Sequence, residues 1–203
     1  MNRASYNAIA TQWDVARSAF YGREREYLDT FLSGLAPSLI LDAGCGTGRP
    51  MAEYVLARGH SVIGIDQSEA LLARARSRFP SAQWINATLE EYTFVEHYQG
   101  VICWDALFHI ERSHHERMLT RIASCLPLGG RLMLTVGGSE HPAFTDVMFG
   151  QEFFYDSLPP AEVLRILASL GFVALVSEFM NQPTTGRDKG RYAIVAKKKN
   201  EPA

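Results

Sequence analysis

Apolar residues along this chain keep two rhythms. Short, nearly continuous runs include Leu39-Ile40-Leu41, Val62-Ile63-Gly64-Ile65, Val101-Ile102-Cys103-Trp104 and Leu132-Met133-Leu134-Thr135-Val136. Such runs read as strands buried on both faces. Gln83-Trp84-Ile85-Asn86 adds a shorter one. Between the runs, apolar residues return every three or four positions, as they do on one face of a helix. Met51, Tyr54 and Val55 form one such stripe; Leu71, Leu72, Ala75 and Phe79 form the next. Met118, Leu119, Ile122 and Leu126, then Leu164, Leu167 and Leu170, complete the set, with stops at Gly59, Pro80, Pro127 and Gly171. Ser68 is placed to cap the second stripe, and Ser113 with Glu116 reads as a capping box for the third. Strands thus alternate with helices five times, which predicts a parallel sheet covered on both faces. Residues 172–180 and 191–197 then read as a hairpin around the 184–190 loop, with Lys197-Lys198-Lys199 as a frayed tail. Ahead of the first strand, residues 1–35 read as two helices broken at Gly22 and ended by Pro37. The first helix carries the aromatic stripe Tyr6, Ile9, Ala10, Trp13.

The first buried run does not simply end. Leu41 leads into Asp42-Ala43-Gly44-Cys45-Gly46-Thr47-Gly48-Arg49-Pro50, and a helical stripe starts at once. A strand turning tightly into a helix presents free backbone N–H groups, and glycines keep side chains off that ledge while permitting positive φ. The dinucleotide fingerprint is G-x-G-x-x-G with a pyrophosphate on the helix start. Here the glycines alternate, Arg49 stands where the third fingerprint glycine would fall, and Asp42 precedes Gly44 by two residues. A carboxylate there repels a pyrophosphate and suits a cation. The second run also ends in an acid, Asp66, twenty residues beyond Gly46. That is the spacing at which a doubly wound fold sets a carboxylate against ribose hydroxyls, and a carboxylate can accept from both at once.

The stretch Asp42, Gly44, Gly46, Gly48 resembles the first motif of the class I S-adenosylmethionine-dependent methyltransferases, close to D-x-G-x-G-x-G. The resemblance covers nearly everything from Leu39 onward. It implies a doubly wound, mostly parallel, seven-stranded Rossmann-like α/β sheet with a C-terminal antiparallel hairpin. The N-terminal helical cap would be residues 1–36, and the cofactor-binding domain residues 37–203. It also implies S-adenosylmethionine as cofactor. Asp42, Gly44, Cys45, Gly46 and Gly48 would meet its amino-acid end, Asp66 its ribose, and Gln67 the ribose or adenine edge. The family often carries an Asp after the third strand for the adenine amino group; this chain has Thr88 instead, so Thr88 and the backbone of Leu89 are the candidates there. Trp104 either stacks on adenine or packs in the core. Residues 6–14 resemble the Y-x-x-x-A-x-x-Y-D prelude of small-molecule methyltransferases, with Trp13 in the second aromatic place. On that resemblance Tyr6 and Trp13 form a lid over the cofactor; an aromatic helical stripe taken alone reads as core.

Residues 143–159 are the least regular part, and they hold Phe144, Phe149, Phe153, Phe154 and Tyr155. They read either as a flap over an acceptor pocket or as a satellite core. Methyl transfer is an in-line displacement with a neutral thioether leaving, so a base is needed only where the acceptor must lose a proton. His109, Glu140, His141 and Tyr155 are available; none is singled out, and His109 also fits a structural bond to a backbone carbonyl. His114 and His115 are adjacent on a helix and make a poor metal pair, and no zinc motif is present, so no metal is expected.

Composition adds bounds. The 203 residues carry a net charge of −2, so no general field draws nucleic acid or an anionic membrane. Arg74, Arg76 and Arg78 read as a solvated helix face rather than a nucleic-acid stripe. Three cysteines without C-x-x-C spacing fit reduced thiols in the cytoplasm, and no run of 18 apolar residues occurs. The expectation is a cytoplasmic monomer or homodimer that methylates a small-molecule acceptor. A non-catalytic S-adenosylmethionine-binding module and an NAD-dependent oxidoreductase are the rivals.

Overall fold

A computed structural model describes residues 2–94, 98–185 and 188–199. Its strands are β1 (Leu39–Ala43), β2 (Ser61–Asp66), β3 (Gln83–Asn86), β4 (Gly100–Cys103), β5 (Arg131–Gly137), β6 (Phe144–Met148), β7 (Gln151–Tyr155), β8 (Phe172–Asn181) and β9 (Arg191–Lys198). Its α-helices are α1 (Arg3–Ala8), α2 (Ala10–Ala16), α3 (Glu24–Leu32), α4 (Met51–Ala57), α5 (Glu69–Arg78), α6 (His115–Cys125) and α7 (Pro160–Ser169). Seven strands form one sheet in the order β3-β2-β1-β4-β5-β9-β8. β1 to β5 run parallel, and β9 runs antiparallel to both β5 and β8.

The two-residue period of a strand sorts its side chains between the sheet's two faces. Leu41, Ile63, Val101 and Leu134 face the side covered by α6 and α7. Their neighbours Ile40, Val62, Ile102 and Met133 face the side covered by α3, α4 and α5. The strand order reverses between β1 and β4, so the ends of these two strands open a crevice. In open sheets of this kind a ligand lies in that crevice.

Several local expectations change. The N-terminal stretch forms three α-helices, because the backbone breaks at Ile9 as well as near Gly22. α3 packs Tyr27, Leu28, Phe31 and Leu32 into the sheet's own core. Ser68 does cap α5, accepting from the Leu71 N–H at 3.3 Å. α6 has no side-chain cap: Ser113 lies in a short 3-10 turn, Arg112–His114, and His114 holds the cap position. Between β3 and β4 the described residues 87–94 and 98–99 contain no helix, so that crossover breaks the strict alternation. In the 184–190 loop Gly186 and Arg187 lie outside the described residues. The Lys197–Lys199 tail is not frayed. Lys198 ends β9 and its Nζ donates to the carbonyls of Ala123 and Leu126, which close α6, at 2.7 and 2.8 Å. Cations at a helix's carboxyl end are favoured by its dipole.

The largest difference is at 143–159. The segment is an ordered hairpin, β6–β7, turning at Phe149 and Gly150 with φ of 49° and 77°. Two successive positive φ values make the mirror-image turn that matches strand twist. Its stability is tertiary: Phe153 is fully buried with Tyr6, Ile9, Ala10 and Leu71.

Candidate active site

The corner after β1 is held by its neighbours. The N–H groups of Gly44 and Cys45 both donate to the Ile65 carbonyl, at 2.8 and 3.0 Å, which ties the turn to β2. Gly44 has φ +89°, and a Cβ there would lie 2.4 Å from the Ala106 Cβ, so only glycine fits. Gly46 donates its N–H to Asp66 Oδ2 at 2.9 Å, while Asp66 Oδ1 accepts from the Ser68 N–H at 2.8 Å. Asp66 therefore fastens the corner to the start of α5 and keeps spare lone pairs, since a carboxylate offers about four acceptor sites. Gly48 faces away from the crevice; a Cβ there would sit 2.9 Å from the Trp84 ring, so it serves close packing beneath the loop.

A cavity of about 880 Å³, its open mouth included, fills the crevice. Of the predicted residues, Tyr6, Trp13, Asp42, Gly44, Cys45, Gly46, Asp66, Gln67, Thr88, Leu89 and Trp104 line it. Some are committed elsewhere as well. Trp104 is buried among core residues and donates its indole N–H to Glu24 Oε1 at 2.9 Å. The Thr88 hydroxyl bonds Glu91 at 2.9 Å and accepts from its N–H at 3.2 Å. α1 and α2 lie across the mouth. Tyr6 packs edge-on to Trp13 at 5.5 Å and to Phe153 at 4.8 Å. Polar ties fasten these helices to α5: Asn7 Oδ1 accepts from the Ser68 hydroxyl and the Ala70 N–H, Arg74 donates to Thr11, and Arg78 pairs with Asp14. Arg74 and Arg78 are thus cap tethers, where the sequence suggested a solvated face. On the other side, Asn2 pairs with both backbone groups of Phe154 on β7.

Comparison with known proteins bears on what this crevice holds. Residues 40–130 match the family model described as "Methyltransferase domain". The chain is 26% identical to the ubiquinone biosynthesis O-methyltransferase of Acinetobacter baylyi over 172 residues, 77% of this chain and 70% of that one. It is also 26% identical to the Coxiella burnetii protein of the same name over 125 residues, spanning about half (52%) of that relative. Among solved structures, 1,6-didemethyltoxoflavin-N1-methyltransferase of Burkholderia thailandensis, with S-adenosylhomocysteine bound, superposes with a TM-score of 0.66 at 22% identity, covering 97% of this chain and 90% of that one. Residues 40–130 are thus similar to methyltransferase domains, and the chain as a whole shares the fold of that solved methyltransferase. A [4+2]-cyclase, SpnF, shares the fold too, with a TM-score of 0.75 at 15% identity over 98% of this chain and 95% of that one. The fold alone therefore does not fix the reaction.

The cavity is shaped for a cation. Asp42 is 2% exposed and its Oδ2 has no hydrogen-bond partner. Burial, with the Asp66 charge second, pushes Asp42 up to about 7. An uncompensated buried carboxylate is costly unless a positive group arrives. S-adenosylmethionine carries two such groups, an ammonium and a sulfonium, and so fits this chain's residues. Asp66 is raised by burial, against the pull of its backbone donors. His109 is held down to about 4 by burial, so its ring is neutral. Its Nδ1 lies 2.9 Å from the Phe154 carbonyl, the structural bond the sequence allowed.

The sequence reading missed a third acid. Asp105 follows β4, lines the cavity and has φ +51°, rare for a residue with a side chain. Its carboxylate meets Arg191 Nη2 at 3.0 Å and Thr135 Oγ1 at 3.1 Å. Nearby, the fully buried Glu24 pairs with Arg17 at 3.1 Å and Arg191 at 3.5 Å. Asp105 was detectable: like Asp42 and Asp66 it stands at the carboxyl end of a central strand. Arg17, Glu24 and Arg191 come from distant parts of the chain, and no local signal joins them. Among the described residues, no cluster of three or more His, Cys, Asp or Glu could hold a metal, and no helix is long and apolar enough to cross a membrane.

Proposed function

We propose that this protein transfers the methyl group of S-adenosylmethionine to a small-molecule acceptor, with the residues of the glycine corner holding the cofactor. One observation carries the reading: the partnerless oxygen of Asp42, buried beside a ledge that admits no side chain at Gly44. Asp42 receives the cofactor's ammonium end, and Gly44, Cys45 and Gly46 pass their backbone along its methionine part. Asp66 accepts from the ribose hydroxyls, and Gln67, Thr88 and Leu89 border the adenine. Tyr6 and Trp13, on a cap formed by α1 and α2, cover it, while α3 belongs to the core of the cofactor-binding domain. Aligning acceptor and sulfonium in a closed site can by itself lower the barrier by about 7–11 kcal/mol.

The named activities of the relatives support a small acceptor, and the net charge of −2 supports it over nucleic acid. Three buried free thiols, Cys45, Cys103 and Cys125, support a cytoplasmic setting. Titration calorimetry with S-adenosylmethionine and S-adenosylhomocysteine tests the cofactor assignment. Asp66→Ala should weaken both by at least about tenfold, or 1.4 kcal/mol. Unchanged affinity would remove the ribose role, and heat on adding NAD would favour the oxidoreductase instead.

A further inference from the structure

Asp105 follows β4 with φ +51°, a conformation that persists only where the surroundings over-determine it. Here they do. The Asp105 N–H donates to Thr135 Oγ1 at 2.7 Å, and the Thr135 hydroxyl donates back to Asp105 Oδ1 at 3.1 Å. Thr135 is itself fully buried on β5. Arg191 Nη2, from the start of β9, reaches Asp105 Oδ2 at 3.0 Å. Two neighbouring strands thus aim one carboxylate. The residue lines the cofactor cavity, and 16% of its side chain stays exposed. A carboxylate offers about four acceptor sites, so these bonds leave room for a further positive group.

The glycine corner locates Asp105 in the crevice. A Cβ at Gly44 would strike the Cβ of Ala106, the residue after Asp105, so the end of β4 faces the Gly44 ledge. On the cofactor reading above, the methionine part lies along that ledge and the ribose lies at Asp66. Sulfur joins the two, so it lies between the ends of β1 and β4. Asp42 is taken by the ammonium and Asp66 by the ribose, which leaves Asp105 to the sulfur. The charge of the cavity agrees. Four carboxylates line it, Asp42, Asp66, Glu90 and Asp105, against two guanidinium groups, Arg17 and Arg49. Both arginines are already paired, with Glu24 and Glu53. Burial raises the Asp105 carboxyl, and the Arg191 and Arg17 charges work against that rise.

Resting on that cofactor reading, we propose that Asp105 is the residue by which the site tells loaded cofactor from spent. Its carboxylate favours the positive sulfur of S-adenosylmethionine over the neutral sulfur of S-adenosylhomocysteine. The two ligands differ by one methyl group and one unit of charge, and charge is what a carboxylate senses. In a mostly buried site this attraction is stronger than in water. Thr135 and Arg191 are positioning residues: they fix the carboxylate, and Arg191 tempers its pull by sharing the charge. Once the methyl group has left, the attraction to sulfur is gone. Asp105 therefore favours release of the spent cofactor, and product release limits turnover in many enzymes.

Titration calorimetry on the full chain tests this without any methyl acceptor. The readout is the dissociation constant of S-adenosylhomocysteine divided by that of S-adenosylmethionine. Asp105→Asn should lower this ratio by about tenfold, chiefly by weakening S-adenosylmethionine. Asparagine keeps the shape, can still bond Thr135 and tolerates positive φ. Asp105→Gly should lower the ratio likewise, on a backbone that takes φ +51° without strain. A ratio that moves by less than about threefold in either variant overturns the proposal. Equal weakening of both ligands also overturns it, because Asp105 would then be only a brace for the cavity wall. Those results leave the cofactor reading standing, since the ligands still bind the wild-type chain. A wild-type chain that binds neither ligand overturns that earlier reading as well.

Discussion

The two walls of the cofactor cavity are made of different material. One wall is backbone: the corner after β1, tied to β2 through the Ile65 carbonyl and to α5 through Asp66. The other is side chain: Tyr6 and Trp13 from α1 and α2 and His109 beyond β4, backed by Phe153 on β7. Residues of the first wall lie within about thirty positions of one another, and its shape follows from glycine stereochemistry. The second wall joins residues more than a hundred positions apart, as in the Asn2–Phe154 and Tyr6–His109 bonds. A backbone wall fixes what kind of ligand enters. A side-chain wall can be altered piece by piece, and its long-range ties set how tightly the site closes.

The largest expected effect breaks the backbone wall. Gly44→Ala sets a Cβ 2.4 Å from that of Ala106 in a left-handed conformation, so both must move. The loss should be about 3–5 kcal/mol of folding stability, combining backbone strain and overpacking. Urea unfolding measures it, and a loss below 1 kcal/mol (about the scale of an ordinary surface change) would mean the corner is looser than described.

The next effect separates stability from function within that wall. Asp42 is raised in the folded chain from its ordinary 3.8 to about 7. Between those values the folded state holds the proton that the unfolded state has lost. Stability of the cofactor-free chain therefore falls as pH rises through that window. Asp42→Asn should flatten this fall and gain about 1–3 kcal/mol at neutral pH, because it removes a buried charge that lacks a partner. The same variant should bind S-adenosylmethionine more weakly. A variant that is less stable at neutral pH would show that Asp42 has a compensating partner in solution.

The smallest effect loosens the side-chain wall. Asp14 joins α2 to Arg78 and Arg74 on α5, and those arginines hold its carboxyl below the usual carboxylate range. The pair is partly exposed, so Asp14→Ala should cost only about 1 kcal/mol. Its sharper signature is kinetic: faster cofactor release in stopped-flow, with the corner unaffected. An unchanged release rate would show that the cap does not gate the cavity.

The contrast also explains what could be read in advance. Asp42, Gly44, Gly46 and Asp66 declared themselves through strand, spacing and charge, because each acts within one β-α-β unit. Trp104 left two readings, and the structure places its indole in the core while one edge reaches the cavity. Hairpin β6–β7 looked irregular, since Phe144-Thr145-Asp146-Val147-Met148 alternates only weakly and its partner strand is aromatic on successive positions. Asp105 was within reach of the same end-of-strand logic. The Glu24–Arg191 pair was not, as the partners are 167 residues apart.

By itself the sequence determined the layered parallel sheet, the glycine corner and the sign of the charge waiting there. Local stereochemistry and hydrophobic period are encoded residue by residue, so they survive without knowledge of the rest. Only the tertiary structure decided that Gly48 faces away from the cavity, that a hairpin backs the lid, and that Tyr6 meets His109 in the cavity wall. Those outcomes depend on which distant side chains share a space. That is settled by packing the whole chain at crystal-like density, not by any window along it.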